Sequence, residues 1–152
     1  MIALLQRVIQ ASVEVEREVI AAIGPGLAVF LAVERADSPA EADRLLERLL
    51  TYRVFDDAAG RMNRSVLDTG GGLLIVPQFT LAADTRSGTR PGFQSAAPPE
   101  QGRQLYEHFL AGARRRVVDV AAGRFGAEMR VALINDGPVT FWLQVAPGAP
   151  SR

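Results

Sequence analysis

Val13 and Val15 alternate with Glu14 and Glu16 over residues 11–16, the two-residue period of a strand with one wet face. Residues 19–23 form its expected hairpin partner, and Gly24-Pro25-Gly26 reads as the next turn, since Gly tolerates positive φ and Pro fixes its own. Residues 27–33 are then apolar without a break, which predicts a central strand covered on both faces. The period changes after Ser38. That residue suits an N-cap, Pro39 suits the first helical position, and Glu41 three residues on completes a capping box. Ala42, Leu45, Leu46, Leu49 and Leu50 recur at helical spacing and predict a buried face. Asp56-Asp57-Ala58-Ala59-Gly60 breaks this helix and leads to a loop around Met62-Asn63.

Gly70-Gly71-Gly72 opens another strand, and a second helix is expected over about 99–115 with Leu105, Phe109, Leu110 and Ala113 inward. Short strands follow near 117–121, 129–134 and 139–145. Strands outnumber helices, which predicts a single α+β domain over residues 1–145. Its core is expected to be a mostly antiparallel, barrel-like sheet with two main helices, followed by a frayed tail at 146–152. No repeat, linker or low-complexity segment interrupts it.

A length of 152 residues fits one domain, and 48% hydrophobic with 22% charged residues supplies a real core. No apolar run approaches the roughly 18 residues of a membrane span, so no membrane association is expected. The first residues, Met1-Ile2-Ala3-Leu4-Leu5-Gln6-Arg7, read as a strand and not as a signal peptide, so a cytoplasmic location is expected. Cysteine is absent, which removes disulfides, thiolate nucleophiles and Cys-ligated zinc. Every Lys-or-Arg position is Arg, and the formal net charge is zero. A general nucleic-acid coat needs clustered cations, so any RNA contact must come from a local patch. Arg86 and Arg90 in a loop and Arg114-Arg115-Arg116 at a helix end are the candidates. The triplet by itself reads as a solvated end that complements the helix dipole.

Catalytic chemistry narrows by elimination. The sole histidine, His108, sits inside a helical pattern and reads as a helix-surface or half-buried residue. Without it there is no Ser-His-Asp triad. No His or carboxylate cluster has metal-ligand spacing, so neither a metal nor another cofactor is expected. Gly70-Gly71-Gly72 precedes a strand, whereas a phosphate loop leads from strand to helix. What remains is chemistry built from backbone groups, hydroxyls, an amide and the substrate itself.

Two segments stand where an apolar run ends and a turn begins, a common place for chemistry on a rigid base. Pro77-Gln78-Phe79-Thr80-Leu81 follows Leu73-Leu74-Ile75-Val76, and Asn135-Asp136-Gly137-Pro138-Val139-Thr140 follows Val131-Ala132-Leu133-Ile134. Together with Gln6-Arg7-Val8, Gly88-Thr89-Arg90-Pro91-Gly92-Phe93 and Phe125-Gly126-Ala127-Glu128-Met129, these resemble the D-aminoacyl-tRNA deacylase family, in order and across almost the whole chain.

The resemblance implies a homodimer that hydrolyses the ester joining a D-amino acid, or glycine, to the 3′ end of tRNA. It implies that Gly137-Pro138 is a Gly-cis-Pro motif inserted into the partner subunit's site, where its carbonyls crowd out L side chains. Arg7 would hold that motif. Gln78, Phe79 and Thr80 would line the aminoacyl pocket, with a backbone N–H near Phe79 stabilising the oxyanion. Met129 would lie near the terminal adenine, and Pro77, Arg90 and Phe93 would complete the substrate-binding set. Most of the family carries Ser where this chain has Pro77. An animal-restricted relative tolerant of L-alanine on tRNA carries Pro there, but Ala where this chain has Phe79.

Each residue alone has a simpler reading. Gly-Pro is a turn, Gln78 and Thr80 are the polar face of a strand, and Arg7 is an edge-strand charge. Two other classes remain open: a non-catalytic nucleic-acid-binding protein on the same fold, and a small-molecule esterase acting through Thr80 or Ser65. The second lacks a base to activate its hydroxyl.

Overall fold

In the computed structural model, which describes residues 1–148, the alternating pattern at 11–16 is the far half of a longer strand, β1 (Ile2–Val15). Along one edge, β1 pairs antiparallel with β3 (Gly26–Ala32) through its first half and with β2 (Glu18–Ile23) through its second. Along the other edge it pairs antiparallel with the C-terminal strand, β8 (Arg130–Gln144), almost end to end. Two short strands intervene before the next sheet strand: β4 (Phe55–Asp56) and β5 (Met62–Arg64) form a small hairpin of their own. The main sheet continues in parallel from β3 to β6 (Gly72–Pro77) and then to β7 (Val120–Ala122). It is therefore mixed, antiparallel around β1 and parallel around β6, and nearly closed into a barrel. The parallel half explains the unbroken apolar runs, because both faces of β3 and β6 are covered. A Cβ on Gly26 would lie 2.0 Å from the Gly72 carbonyl oxygen, so these strands begin at a spacing only glycine allows.

Helix α1 (Pro39–Thr51) starts as expected, with the full Ser38–Glu41 capping box and the five predicted apolar residues buried. It stops at Thr51, ahead of the acidic stretch, with Tyr52 extended at the C-cap and Val54 buried in the core. The region around Met62-Asn63 is half of the β4–β5 hairpin. A one-turn helix, α2 (Val66–Thr69), follows under a Ser65 cap. The long α3 (Pro99–Arg116) packs on α1 so closely that a Cβ on Gly112 would meet Leu46 Cδ2 at 2.6 Å. The core lies between these helices and the sheet, around Phe109, Leu45, Leu49 and Leu73.

Two local features bear on function. The β1–β2 hairpin turns on Glu16 (φ 51°) and Arg17 (φ 68°). Both are left-handed without being glycine, a strain of order 1–3 kcal/mol each. The expected strands at 129–134 and 139–145 are one strand, interrupted in the middle, and its Gly137–Pro138 peptide is cis. The expected tail at 146–152 falls mostly outside the described residues. No helix among the described residues is long and apolar enough to cross a membrane.

Candidate functional site

The parallel strands β3 and β6 end at a cavity of about 450 Å³. Its walls include Leu31 near the end of β3 and Val33 just after it, Val76 and Pro77 at the end of β6, and Gln78 and Phe79 just beyond. Gly102 and Tyr106 of α3 and the segment Phe125, Gly126, Ala127 and Met129 add further walls, with Ala97, Pro99 and Val131 beside them. Crevices at the carboxyl ends of parallel strands are where such sheets bind ligands. Pro77 is tolerated there because it is the last residue of β6, where its missing N–H breaks no ladder bond.

The floor is held by Tyr106. Its hydroxyl lies 2.9 Å from the carbonyl oxygens of both Ile75 and Gly123, tying β6 to the chain after β7. Burial pushes the Tyr106 phenol well above its ordinary range, so it stays protonated and donating. Gly123 is needed here for space: a Cβ would come within 2.8 Å of Met129 Sδ and 3.1 Å of Pro77 Cδ. At the rim, the Arg103 guanidinium sits 4.9 Å from the centroid of the Phe125 ring.

Beyond Pro77 the chain tightens into a 3-10 turn, Phe79–Ala82. Its internal bonding begins with Leu81 N–H donating to the Gln78 carbonyl at 3.2 Å, so the N–H groups of Phe79 and Thr80 have no acceptor within the turn. The Gln78 side-chain amide donates to Thr80 Oγ1 at 2.6 Å. An amide nitrogen is no base, so this contact orients the hydroxyl without activating it. The Phe79 ring, 60% exposed, tilts against Phe93 at 5.3 Å between centroids. Phe93 is carried by a loop folded back through paired backbone bonds between Asp84 and Gly92. In that loop the Arg86 guanidinium holds the Asp84 carboxyl well below the usual carboxylate range.

The second motif lies elsewhere. In the β1–β8 ladder, Gln6 pairs with Thr140 and Val8 with Asn135, so residues 136–139, four in number, stand against Arg7 alone. The surplus bulges outward, leaving Gly137 and Pro138 exposed. Arg7, only 9% exposed, anchors the excursion. Its Nη1 donates to the Val54 carbonyl at 2.8 Å and approaches Asp56 Oδ1 at 3.6 Å. Its Nε lies 2.9 Å from Asp136 Oδ2, a charge contact without hydrogen-bond alignment. The Asn135 amide donates to the Arg7 carbonyl at 2.9 Å and to the Val139 carbonyl at 3.1 Å, closing the loop's base.

Pro77, Gln78, Phe79 and Met129 thus share one cavity; Thr80 and Phe93 adjoin it through Gln78 and Phe79; Arg90 is exposed on the loop that carries Phe93. Arg7, Gly137 and Pro138 line no part of this chain's cavity. His108 bridges α3 to α1 through Asp43 at 2.7 Å, away from the cavity. Among the described residues no group of three His, Asp or Glu side chains could hold a metal ion. Sequence reasoning missed Tyr106, although its spacing from Phe109 and Leu110 marks the same buried face. It quoted Asn135, Phe125 and Gly126 without giving them a role, and it did not use Gly123.

The chain matches the family model described as D-Tyr-tRNA(Tyr) deacylase over residues 4–144. It is 63% identical over 147 residues to a D-aminoacyl-tRNA deacylase of Janthinobacterium sp. (strain Marseille), covering 97% of this chain and 99% of the relative. The corresponding protein of Herminiimonas arsenicoxydans is 65% identical over 147 residues, again covering 97% and 99%. Among solved structures, a c-Myc DNA Unwinding Element Binding Protein superposes with TM-score 0.92 at 40% identity, covering 96% of this chain and 99% of that one. A probable eukaryotic D-amino acid tRNA deacylase superposes with TM-score 0.84 at 17% identity, covering 95% and 98%, which speaks for the fold alone.

Proposed function

The chain belongs to the D-Tyr-tRNA(Tyr) deacylase family and is a D-aminoacyl-tRNA deacylase, an ester hydrolase; from that premise we propose how it works. It removes glycine as well as D-amino acids, acts in the cytoplasm where aminoacyl-tRNA is made, and functions as a homodimer. The observation that supports the dimer is the separation of the two motifs within one chain. The cavity of one chain lacks Gly137 and Pro138, which project from the β1–β8 ladder on an exposed excursion braced by Arg7 and Asn135. Ile9, Ile134 and Trp142, on the same two strands, are about half exposed, an apolar surface suited to a second copy.

In this reading the partner's Gly137 and Pro138 carbonyls close the cavity beside Gln78 and Phe79 and clash with any L side chain. The terminal adenine rests near Met129, and the aminoacyl ester points to the 3-10 turn. The N–H groups of Phe79 and Thr80 meet the oxyanion, which is worth most in a water-poor site. Thr80 serves position and not nucleophilic attack, because among the described residues its hydroxyl is hydrogen-bonded by the Gln78 amide alone. With no His, Asp or Glu among the described residues that line the cavity, the ribose 2′-hydroxyl assists the attacking water.

The test is hydrolysis of D-aminoacyl-, glycyl- and L-aminoacyl-tRNA side by side, with light scattering at micromolar concentration. The first two substrates should be cleaved by a dimer; a stable, fully active monomer contradicts the shared site. The similarity to a DNA-binding protein favours one other reading, a nucleic-acid-binding role. Binding of RNA or DNA with no loss of ester would support it instead.

A further inference from the structure

Resting on the deacylase reading of the first cavity, we infer that a second cavity beside it holds the cytidine nucleotide that precedes the terminal adenosine of tRNA. This cavity, of about 600 Å³, lies between the β1–β2 hairpin and the segment leading into β8. It shares Ala127 and Met129 with the first cavity, so the two meet at one wall. With the aminoacyl group at Gln78 and Phe79 and the adenine at Met129, as proposed above, the preceding nucleotide falls beyond Met129, at the second cavity.

The charges of the second cavity fit a nucleotide better than a bare anion. Three cations, Arg17, Arg124 and Arg130, face three carboxylates, Glu14, Glu16 and Glu128. Arg130 and Glu14 approach each other at 3.4 Å. The side chains of Arg17, Arg124, Glu16 and Glu128 have no hydrogen bond or ion pair among the described residues. The free guanidinium groups suit a phosphate. The free carboxylates suit the exocyclic amine of cytosine, the donor that carboxylates accept from, and unpaired bases are read on that edge. Glu16 and Arg17 are also the two left-handed, non-glycine residues of the hairpin turn, so a disfavoured backbone sets both side chains in the cavity.

The experiment compares kcat/KM for D-aminoacyl-tRNA with kcat/KM for D-aminoacyl-adenosine, which ends before the second cavity. Replacing the penultimate cytidine by uridine presents an oxygen to the carboxylates in place of the amine. It should lower the tRNA-to-adenosine ratio of the wild type by about tenfold. The double variant R17A/R124A should lower the ratio by about tenfold or more through lost phosphate contacts, and E128Q should narrow the cytidine-over-uridine preference. The uridine substrate needs no variant, so it reads the proposal even where a substitution harms folding. A ratio that does not move with either the uridine substrate or the double variant overturns the proposal. A ratio that falls in R17A/R124A but ignores the base overturns the cytidine assignment. A wild type inert toward both D substrates overturns the deacylase reading itself, a result distinct from an active enzyme with an unmoved ratio.

Discussion

Asn135 donates its side-chain amide to the carbonyl of Arg7 at 2.9 Å, across the point where β1 and β8 fall out of register. The same amide reaches the Val139 carbonyl at 3.1 Å, so one side chain fixes both ends of the excursion that presents Gly137 and Pro138. Asn135→Ala should remove two hydrogen bonds and cost about 1–2 kcal/mol, a fall of several degrees in melting temperature. Selectivity for D- over L-aminoacyl-tRNA should drop on the order of tenfold, since small misplacements are costly where geometry does the work. Full selectivity in a destabilised variant would show that the excursion holds its shape without this brace.

Thr80→Ala should keep deacylase activity within about tenfold of wild type, because the Gln78 amide at 2.6 Å cannot take its proton. Removing a true nucleophile costs about 10⁶-fold. Single-turnover kinetics with a search for acyl-enzyme distinguishes the two, and an ester trapped on Thr80 would overturn the assignment.

Much of this was legible in the chain, and the reason is physical. The capping box at Ser38 and Glu41, the helical spacing of Leu45, Leu46 and Leu49, and the unbroken run Leu73–Val76 are local signals that the fold does not override. Gln78, Phe79 and Met129 were legible as a site only through family resemblance, since their meeting joins two segments far apart in sequence. Residues 129–134 and 139–145 look like separate strands because Gly137-Pro138 reads locally as a turn; pairing with β1 on both sides makes them one. The one-turn α2 is too short for any period to show. Gly123 was invisible because its role depends on what surrounds a missing Cβ.

Gly123→Ala should raise KM several-fold with a smaller change in kcat. The added methyl would lie 2.8 Å from Met129 Sδ and 3.1 Å from Pro77 Cδ. The Met129 thioether can swing away, but the Pro77 ring sits on a buried strand, and overpacking of this kind costs about 1–3 kcal/mol. Steady-state kinetics on D-aminoacyl-tRNA checks the direction; an unchanged KM would detach Met129 from substrate binding.

Pro77→Ser tests the shape of the pocket against its chemistry. In the wild type, D-aminoacyl- and glycyl-tRNA should be cleaved readily, L-alanyl-tRNA slowly, and bulky L substrates not measurably. Serine at 77 should reduce any hydrolysis of L-alanyl-tRNA and leave D substrates largely unaffected. Equal cleavage of a bulky L substrate and its D isomer would remove the steric filter altogether.

Acid stability should depend on Glu41. The Ser38 hydroxyl foremost, with the Ser38 backbone N–H and Arg44, holds its carboxyl below the ordinary value of 4.5. A folded-state pKa below the unfolded one gives stability that is present above 4.5 and lost as pH falls through the folded value. The melting temperature of wild type should therefore exceed that of Glu41→Gln at neutral pH, with the gap closing in acid. A gap independent of pH would assign the difference to packing.

The placement of the excursion away from its own chain's cavity has a genetic consequence. A chain with Gly137-Pro138 destroyed and a chain with its cavity filled are each defective in self-pairs. In a mixed pair of the proposed dimer, the open cavity of the first would receive the intact excursion of the second, and one of the two sites would be whole. Two damaged copies expressed together should therefore recover selective hydrolysis that neither shows alone, to at most half the wild-type level per dimer. A defect in either region would then be recessive to a complementary defect in the other.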